Sequence, residues 1–261
     1  MFFCSMRFID THAHLYSNPI HEQLAGIVKN ALDQGIDTIL MPAIDSGTLD
    51  AMLAVEGAYP KNCMAMIGLH PCSVKDNVEE ELVVVEQQLQ KRKFIAIGEI
   101  GLDFYWDKTF TAQQQHAFNQ QMQWALDYAL PIVIHTRNAM GETIEAVKPF
   151  AKKGLRGIFH CFSGSKESAE QIIDMGFHLG LGGVLTYKNA GVAEAIKEIP
   201  MQWLVLETDA PYLAPVPYRG KTNEPAFMIQ VAMKLAEIKN IPLHEVAAIT
   251  TQNALGVFGM E

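Results

Sequence analysis

His12 and His14 stand one residue apart in Phe8-Ile9-Asp10-Thr11-His12-Ala13-His14. Alternate side chains of a strand share a face, so Asp10, His12 and His14 are expected to look the same way. Two imidazoles on one face chelate a divalent metal, and a carboxylate behind them can hold one ring in place. Histidine pairs also occur on ordinary surfaces. The reading therefore turns on whether the rest of the chain brings more ligands to the same place.

Ligand-type residues recur at one kind of position. His70 closes Gly68-Leu69-His70, Glu99 lies in Ile97-Gly98-Glu99-Ile100-Gly101-Leu102-Asp103, and His135 closes Ile132-Val133-Ile134-His135. His160 lies in Ile158-Phe159-His160-Cys161, and Asp209 ends Leu206-Glu207-Thr208-Asp209. Each falls toward the C-terminal end of a short apolar, β-rich run. Five of the nine histidines do so, while His21, His116, His178 and His244 lie in helical stretches or at a strand start. Four imidazoles (His12, His14, His135, His160) and two carboxylates (Glu99, Asp209) suffice for two divalent ions only if one carboxylate bridges. Glu99 falls between the two histidine pairs in strand order and is the expected bridge. Such a pair of ions activates a shared water and stabilises the oxygens of a scissile group. The nitrogen and oxygen donors suit Zn or Mn, or Mg with waters completing its shell. Cys161 is expected to point to the opposite face of its strand and is left out.

The elements that must position these groups follow from periodicity. Strands are expected at 7–12, 38–43, 65–70, 95–101, 131–136, 157–162, 177–184 and 204–209. Helical stripes lie between and after them: Val78, Leu82, Val85 and Leu89; Phe118, Met122, Ala125 and Ala129; Met228, Val231, Ala232 and Leu235. Eight strands alternating with helices predict a parallel sheet closed as a single-domain (β/α)8 TIM barrel, with residues 1–6 as an N-terminal extension and 7–261 as the barrel. An open doubly wound sheet would carry a glycine-rich phosphate loop after strand one, where this chain has the histidine pair.

Composition narrows the function. Twenty Lys and Arg against 29 Asp and Glu give a net charge of −9, which argues against non-specific clasping of duplex nucleic acid. A phosphate-bearing substrate in a metal-lined pocket stays open, because bound ions add positive charge. No apolar run is long enough for a membrane span, and the first residues lack a signal-peptide pattern. Cys4, Cys63, Cys72 and Cys161 form no C-x-x-C pair and read as reduced thiols of a cytoplasmic protein. A monomer is expected. Met6 is a second candidate start.

Roles can be assigned by position. Asp209 is the candidate general base, with a pure ligand as the alternative. Neither metal set requires His70, so it is expected at the pocket wall, hydrogen-bonding a substrate oxygen, or else structuring the loop before Pro71. Glu207 and Asp10 are expected to orient ligands. Arg137, Arg219 and Lys221 are candidate phosphate contacts, although Lys221, like Lys166, also reads as a solvated charge. Phe104, Tyr105, Trp106, Tyr187 and Tyr212 are expected to ring the mouth, for base stacking or for packing.

Five ordered segments resemble the TatD family of metal-dependent deoxyribonucleases: Asp10-Thr11-His12-Ala13-His14, Gly68-Leu69-His70-Pro71, Gly98 to Asp103, His160-Cys161-Phe162-Ser163-Gly164, and Glu207 to Tyr212. Arg219-Gly220-Lys221 with Asn223-Glu224-Pro225, and Thr250-Thr251-Gln252-Asn253-Ala254, agree with it. The resemblance spans about residue 7 to 258. It implies a TIM barrel of the amidohydrolase type that hydrolyses DNA phosphodiesters, single strands or ends, often from the 3′ end. It also implies that His12, His14, Glu99 and Asp209 hold one ion while Glu99, His135 and His160 hold the second. Two positions depart from the family pattern, Asn138 where an acidic residue is usual and Thr222 where a basic one is common. Neither is a ligand position. The rival function is hydrolysis of an amide or ester on the same scaffold, including deacylation of an acylated tRNA, because fold does not fix substrate.

Overall fold

The apolar runs that mark the strands are unbroken rather than alternating, because both faces of each strand are buried. In the computed structural model, which describes residues 6–261, Ile132 and Ile134 pack into the core beneath the outer helices. Val133 between them points the other way, into a second cluster inside the sheet. The eight strands are β1 (Phe8–Asp10), β2 (Ile36–Met41), β3 (Cys63–Ala65), β4 (Ile97–Asp103), β5 (Ile132–Arg137), β6 (Gly157–Phe159), β7 (His178–Leu181) and β8 (Leu204–Leu206). Helices α1 (Leu24–Asp33), α2 (Ser46–Ala58), α3 (Val78–Lys91), α4 (Thr111–Asp127), α5 (Met140–Ala151), α6 (Lys166–Asp174) and the short α7 (Val192–Ala195) alternate with them. Helices α8 (Met228–Lys239) and α9 (Leu243–Phe258) follow. The extension and Cys4 fall outside the described residues, apart from Met6.

All strand pairs are parallel, in the orders β1-β2-β3 and β4-β5-β6-β7-β8. The two sheets join at both seams. Ile67 bridges to Ile97, and Gly98 N–H donates to the Ile67 carbonyl at 2.9 Å. Ala13 bridges to Ala210, with Asp209 N–H on the His12 carbonyl at 2.8 Å and His14 N–H on the Ala210 carbonyl at 2.7 Å. The result is a closed (β/α)8 barrel, and its second seam is made by the backbone of His12-Ala13-His14 itself.

Strand boundaries differ from expectation where the site begins. The third strand lies at Cys63–Ala65 rather than 65–70, and His70 instead precedes the 3-10 turn Pro71–Ser73. The strands expected at 157–162 and 204–209 stop at Phe159 and Leu206. Beyond those ends, Cys161 (φ 45°) and Asp209 (φ 58°) take left-handed backbone, which breaks the two-residue alternation. Left-handed backbone costs an L-residue about 1 kcal/mol or more and gathers where a site demands it.

The opposite end of the barrel is plugged. Ala254, Val257 and Phe258 of α9 pack with Ile9, Leu40, Met66, Ala96, Val133, Ile158 and Val205. Asn253 Nδ2 donates to the Met201 and Leu204 carbonyls and Thr251 Oγ1 to the Arg7 carbonyl, each at or before a strand start. The Thr250–Ala254 motif is therefore structural. His178, at the start of β7, lies near Trp203 with its ring centroid 5.2 Å away, and its buried Nδ1 lacks a partner among the described residues. Burial pushes its pKa down to about 4, against a smaller contribution from the Gln202 backbone. The folded protein thus keeps His178 neutral where the unfolded chain takes up a proton, so stability falls as pH drops from about 6.5 to about 4. Discounted for partial exposure, the effect is about 1–2 kcal/mol. Urea titrations of wild type and His178→Gln at pH 7 and pH 4.5 test this. The variant should lose that much less stability on acidification, and equal losses would refute the assignment.

Candidate metal centre

Glu99 stands at the centre of the barrel mouth, 2% exposed. Its two carboxylate oxygens face different partners. Oε2 lies 3.1 Å from His12 Nε2 and 3.6 Å from His14 Nε2. Oε1 lies 2.8 Å from His135 Nδ1, 3.0 Å from His160 Nε2 and 3.4 Å from His70 Nε2. Asp209 Oδ1 completes the first group, 3.7 Å from His12 Nε2 and 3.6 Å from His14 Nε2, and the two histidine nitrogens are 3.3 Å apart. Four donors about 2.0–2.2 Å from one ion in tetrahedral array lie roughly 3.3–3.6 Å from one another. The His12, His14 and Asp209 donors are close to that spacing and fit a divalent cation as they stand, with Glu99 Oε2 within 3.6 Å of both imidazoles.

The far nitrogen of each ring shows which imidazoles could be ligands. Tyr16 Oη donates to the Pro42 carbonyl at 2.5 Å and so accepts from His14 Nδ1 at 2.9 Å. Glu207 accepts from His160 Nδ1 at 3.2 Å, and Asp103 accepts from His135 Nε2 at 2.9 Å. In all three rings the outward partner would keep a proton on the far nitrogen while the inward nitrogen gave its lone pair to a metal. His70 is the reverse. Its Nδ1 accepts from Cys72 N–H at 3.0 Å, so the neutral ring carries its proton on Nε2, facing Glu99 and the cleft. Although His70 could close a cluster with Glu99 and His135, its tautomer suits a hydrogen-bond donor.

Charge completes the arrangement. Burial alone would raise the pKa of Glu99, but His160, His70 and His12 outweigh it and hold the carboxyl well below the ordinary range. Burial likewise opposes ionisation of Asp209, and the bond to His14 and the charges of His160 and His12 reverse this. Burial would lower the pKa of His160, but Glu99 and Glu207 raise it well above the ordinary value. Metal loading would therefore have to release a proton from His160.

Two helpers differ from expectation. Asp10 does not hold an imidazole ring. Its carboxylate accepts from His12 N–H at 3.2 Å and from Thr208 N–H and Oγ1 at 3.0 and 2.6 Å, because β1 ends at Asp10 and the following residues leave the strand. It fixes the backbones that carry His12 and Asp209 instead. Cys161 is not turned away. Its left-handed backbone brings it into the lining of the cleft, and burial pushes its thiol up, outside the range of a reactive thiolate. Glu207 also accepts from Cys161 N–H at 2.5 Å, and Gly180 makes room for it: a Cβ there would meet Glu207 Oε2 at 2.2 Å.

The structure adds Asp103 and Tyr16. Asp103 follows Glu99 by four residues along β4, an even spacing that returns it to the same face. Its Oδ2 holds His135, and its Oδ1 accepts from Tyr105 and Trp106 N–H at 2.9 and 3.0 Å. These bonds, against the cost of burial, keep the carboxyl well below the ordinary range. Gly101 lies opposite His135 in the ladder with φ 147°, and a Cβ there would fall 1.9 Å from the His135 carbonyl oxygen. Arg137 lines the cleft and is stacked over Tyr105 and Trp106, 4.0 and 5.1 Å from their ring centroids. Trp106 is 67% exposed. The cleft encloses about 690 Å³, and Tyr212, Val184 and Leu213 form its other wall. Arg219 lies outside this cleft, over Tyr187, and Lys221 is exposed and does not line it. Lys166 is a surface residue near Glu170, 3.8 Å apart.

A parallel (β/α)8 barrel with clustered imidazoles and carboxylates at the C-terminal ends of its strands defines a metal-dependent hydrolase. The chain matches the model of the family described as TatD related DNase over residues 9–259, and it belongs to that family. It is 38% identical to the uncharacterized metal-dependent hydrolase YabD of Bacillus subtilis (strain 168), over 95% of this chain and 98% of the relative. The crystal structure of YjjV, a TatD homolog from Escherichia coli K12, superposes with a TM-score of 0.92 at 30% identity, covering 98% of this chain and 99% of that one. A hydrolase of the TatD family from Entamoeba histolytica has the same fold, with a TM-score of 0.82 at 23% identity over 97% and 98% of the two chains.

Proposed function

We propose that this protein is a two-metal deoxyribonuclease that hydrolyses phosphodiester bonds in single strands or at DNA ends, from the 3′ end. The observation that carries the reading is the division of Glu99: one oxygen faces His12 and His14, the other His135 and His160, beside a cleft edged by the guanidinium of Arg137. Two divalent ions held there, by His12, His14, Asp209 and Glu99 and by Glu99, His135 and His160, would supply an activated water and charge stabilisation for the phosphoryl oxygens; Mg, Mn and Zn all suit the donors. The remaining steps fall to the chain itself. Asp209, at the cleft floor, takes the proton lost by the attacking water. His70 Nε2–H hydrogen-bonds a phosphoryl or leaving oxygen. Arg137, stacked on two aromatic rings and not ion-paired among the described residues, keeps its donors for phosphate.

Among the described residues no helix is long and apolar enough to cross a membrane. The reading includes a monomer working in the cytoplasm, with reduced thiols at Cys63, Cys72 and Cys161. Single-stranded DNA labelled at the 3′ or the 5′ end, incubated with Mg, Mn or Zn beside a panel of esters, amides and an acylated tRNA, tests the proposal. We expect mononucleotide release from the 3′ end, abolished in His135→Ala. Ester or amide turnover with DNA left intact would replace the nuclease reading by the amidohydrolase-type one.

A further inference from the structure

A second cavity of about 550 Å³ lies behind the wall of the metal-bearing cleft. It is lined by Thr186, which ends the 3-10 turn Gly183–Thr186, by Tyr187 to Ala190 after it, and by Val216 and Arg219 of the loop after β8. The same two loops give Val184 and Leu213 to the main cleft, so cleft and cavity share a partition. From Val184 to Thr186 is two residues, about 7 Å of chain at most.

The partition is built rather than loose. Tyr187 Oη donates to the Ala214 carbonyl at 2.9 Å. Thr186 Oγ1 donates to the Gly183 carbonyl at 2.7 Å and accepts from Val216 N–H at 2.9 Å. A Cβ on Gly183 would fall 1.9 Å from the Leu213 carbonyl oxygen, so the loops touch backbone to backbone. The lining is cationic in an acidic protein. Arg219 sits 4.4 Å from the centroid of the Tyr187 ring, Lys188 is beside it, and neither is ion-paired among the described residues. No carboxylate lines the cavity. A guanidinium on an aromatic ring offers a flat surface for a base and donors for a phosphate, and the ammonium adds a point charge.

We propose that this cavity is a subsite for a nucleotide one step beyond the two joined by the scissile bond, with Lys188 and Arg219 on its phosphate and the Tyr187–Arg219 stack under its base. The proposal rests on the phosphodiesterase reading for its substrate. It relocates Arg219 from the reacting phosphate to a neighbouring one. Short substrates, which do not reach over the partition, are bound without it.

The test uses the metal-loaded full chain, the exposed-site variants Lys188→Gln and Arg219→Gln, and their combination. Turnover is compared on oligothymidylates of two and eight nucleotides, and binding of an all-phosphorothioate octamer, which resists hydrolysis, is followed by fluorescence anisotropy. The double variant should raise KM for the octamer about ten-fold while the dimer changes less than two-fold. Loss of two phosphate contacts on a single strand should also make log KM against log salt shallower by about 1.4. Equal effects on dimer and octamer, or none on either, would overturn the subsite. If neither oligonucleotide is cleaved, the nuclease reading fails and anisotropy decides the pocket alone: ten-fold weaker octamer binding in the double variant supports it, and unchanged binding overturns it.

Discussion

Glu99→Ala is expected to remove the second metal ion, to weaken the first and to lower hydrolysis by about 10³-fold or more, while the barrel stays folded. Among the described residues Glu99 is the one carboxylate within 4 Å of His12, His14, His70, His135 and His160 together. Without it, the first group keeps three donors and the second keeps only imidazoles, with no carboxylate to offset an ion's charge. Stability should not fall with activity, because the variant also relieves a buried charge, and residues at functional sites are rarely chosen for stability. Metal analysis per chain, turnover of a chromogenic phosphodiester and thermal melting are the three readouts. Asp209→Asn, which touches only the first group, should retain the second ion. A Glu99→Ala protein that keeps two ions would end the bridging assignment.

The second large effect lies at the other end of the barrel. Phe258→Ala should cost about 3–5 kcal/mol, the range for deleting a buried aromatic ring from a packed core. In a chain of this length that is a fall in Tm of roughly 6–20 °C. Phe258 is 5% exposed and packs among the inward residues of the strands, on the face away from Glu99. Activity per folded molecule at low temperature should therefore be unchanged. The neighbouring, partly buried Leu255→Ala should cost clearly less. Equal melting temperatures for wild type and Phe258→Ala would show that α9 does not plug the barrel.

Much of this was legible in the sequence because the site obeys a simple rule: side chains that meet at a barrel mouth come from the ends of successive apolar runs. The runs around Ile132–Ile134 and Leu204–Leu206 locate His135 and Asp209 without further information. The ends themselves were less legible. Cys161 and Asp209 sit on left-handed backbone that no alternation pattern encodes, so two-residue alternation places Cys161 on the wrong face. Asp10 departs from the alternation for a different reason, since its chain leaves the strand just after it. The tautomers were out of reach, because they depend on which acceptor lies behind each ring: Tyr16, Glu207 and Asp103 come from different parts of the chain. Asp103 carried a readable signal in its even spacing from Glu99. Arg219 did not, because its distance from the reacting centre is set by how two loops pack against each other.

The bonds of Asp103 have a consequence for how the centre and its rim behave together. One oxygen fixes the ring of His135 and the other fixes the backbone of Tyr105 and Trp106, whose rings lie against Arg137. A single buried carboxylate thus belongs to two equilibria, the loading of the centre and the ordering of the rim. Coupling of this kind is reciprocal: whatever free energy a bound ion would lend to the aromatic rim, a substrate held on that rim would return to the ion. Affinity for metal and affinity for substrate would then not be independent properties of this protein, and each would be measured at a stated concentration of the other.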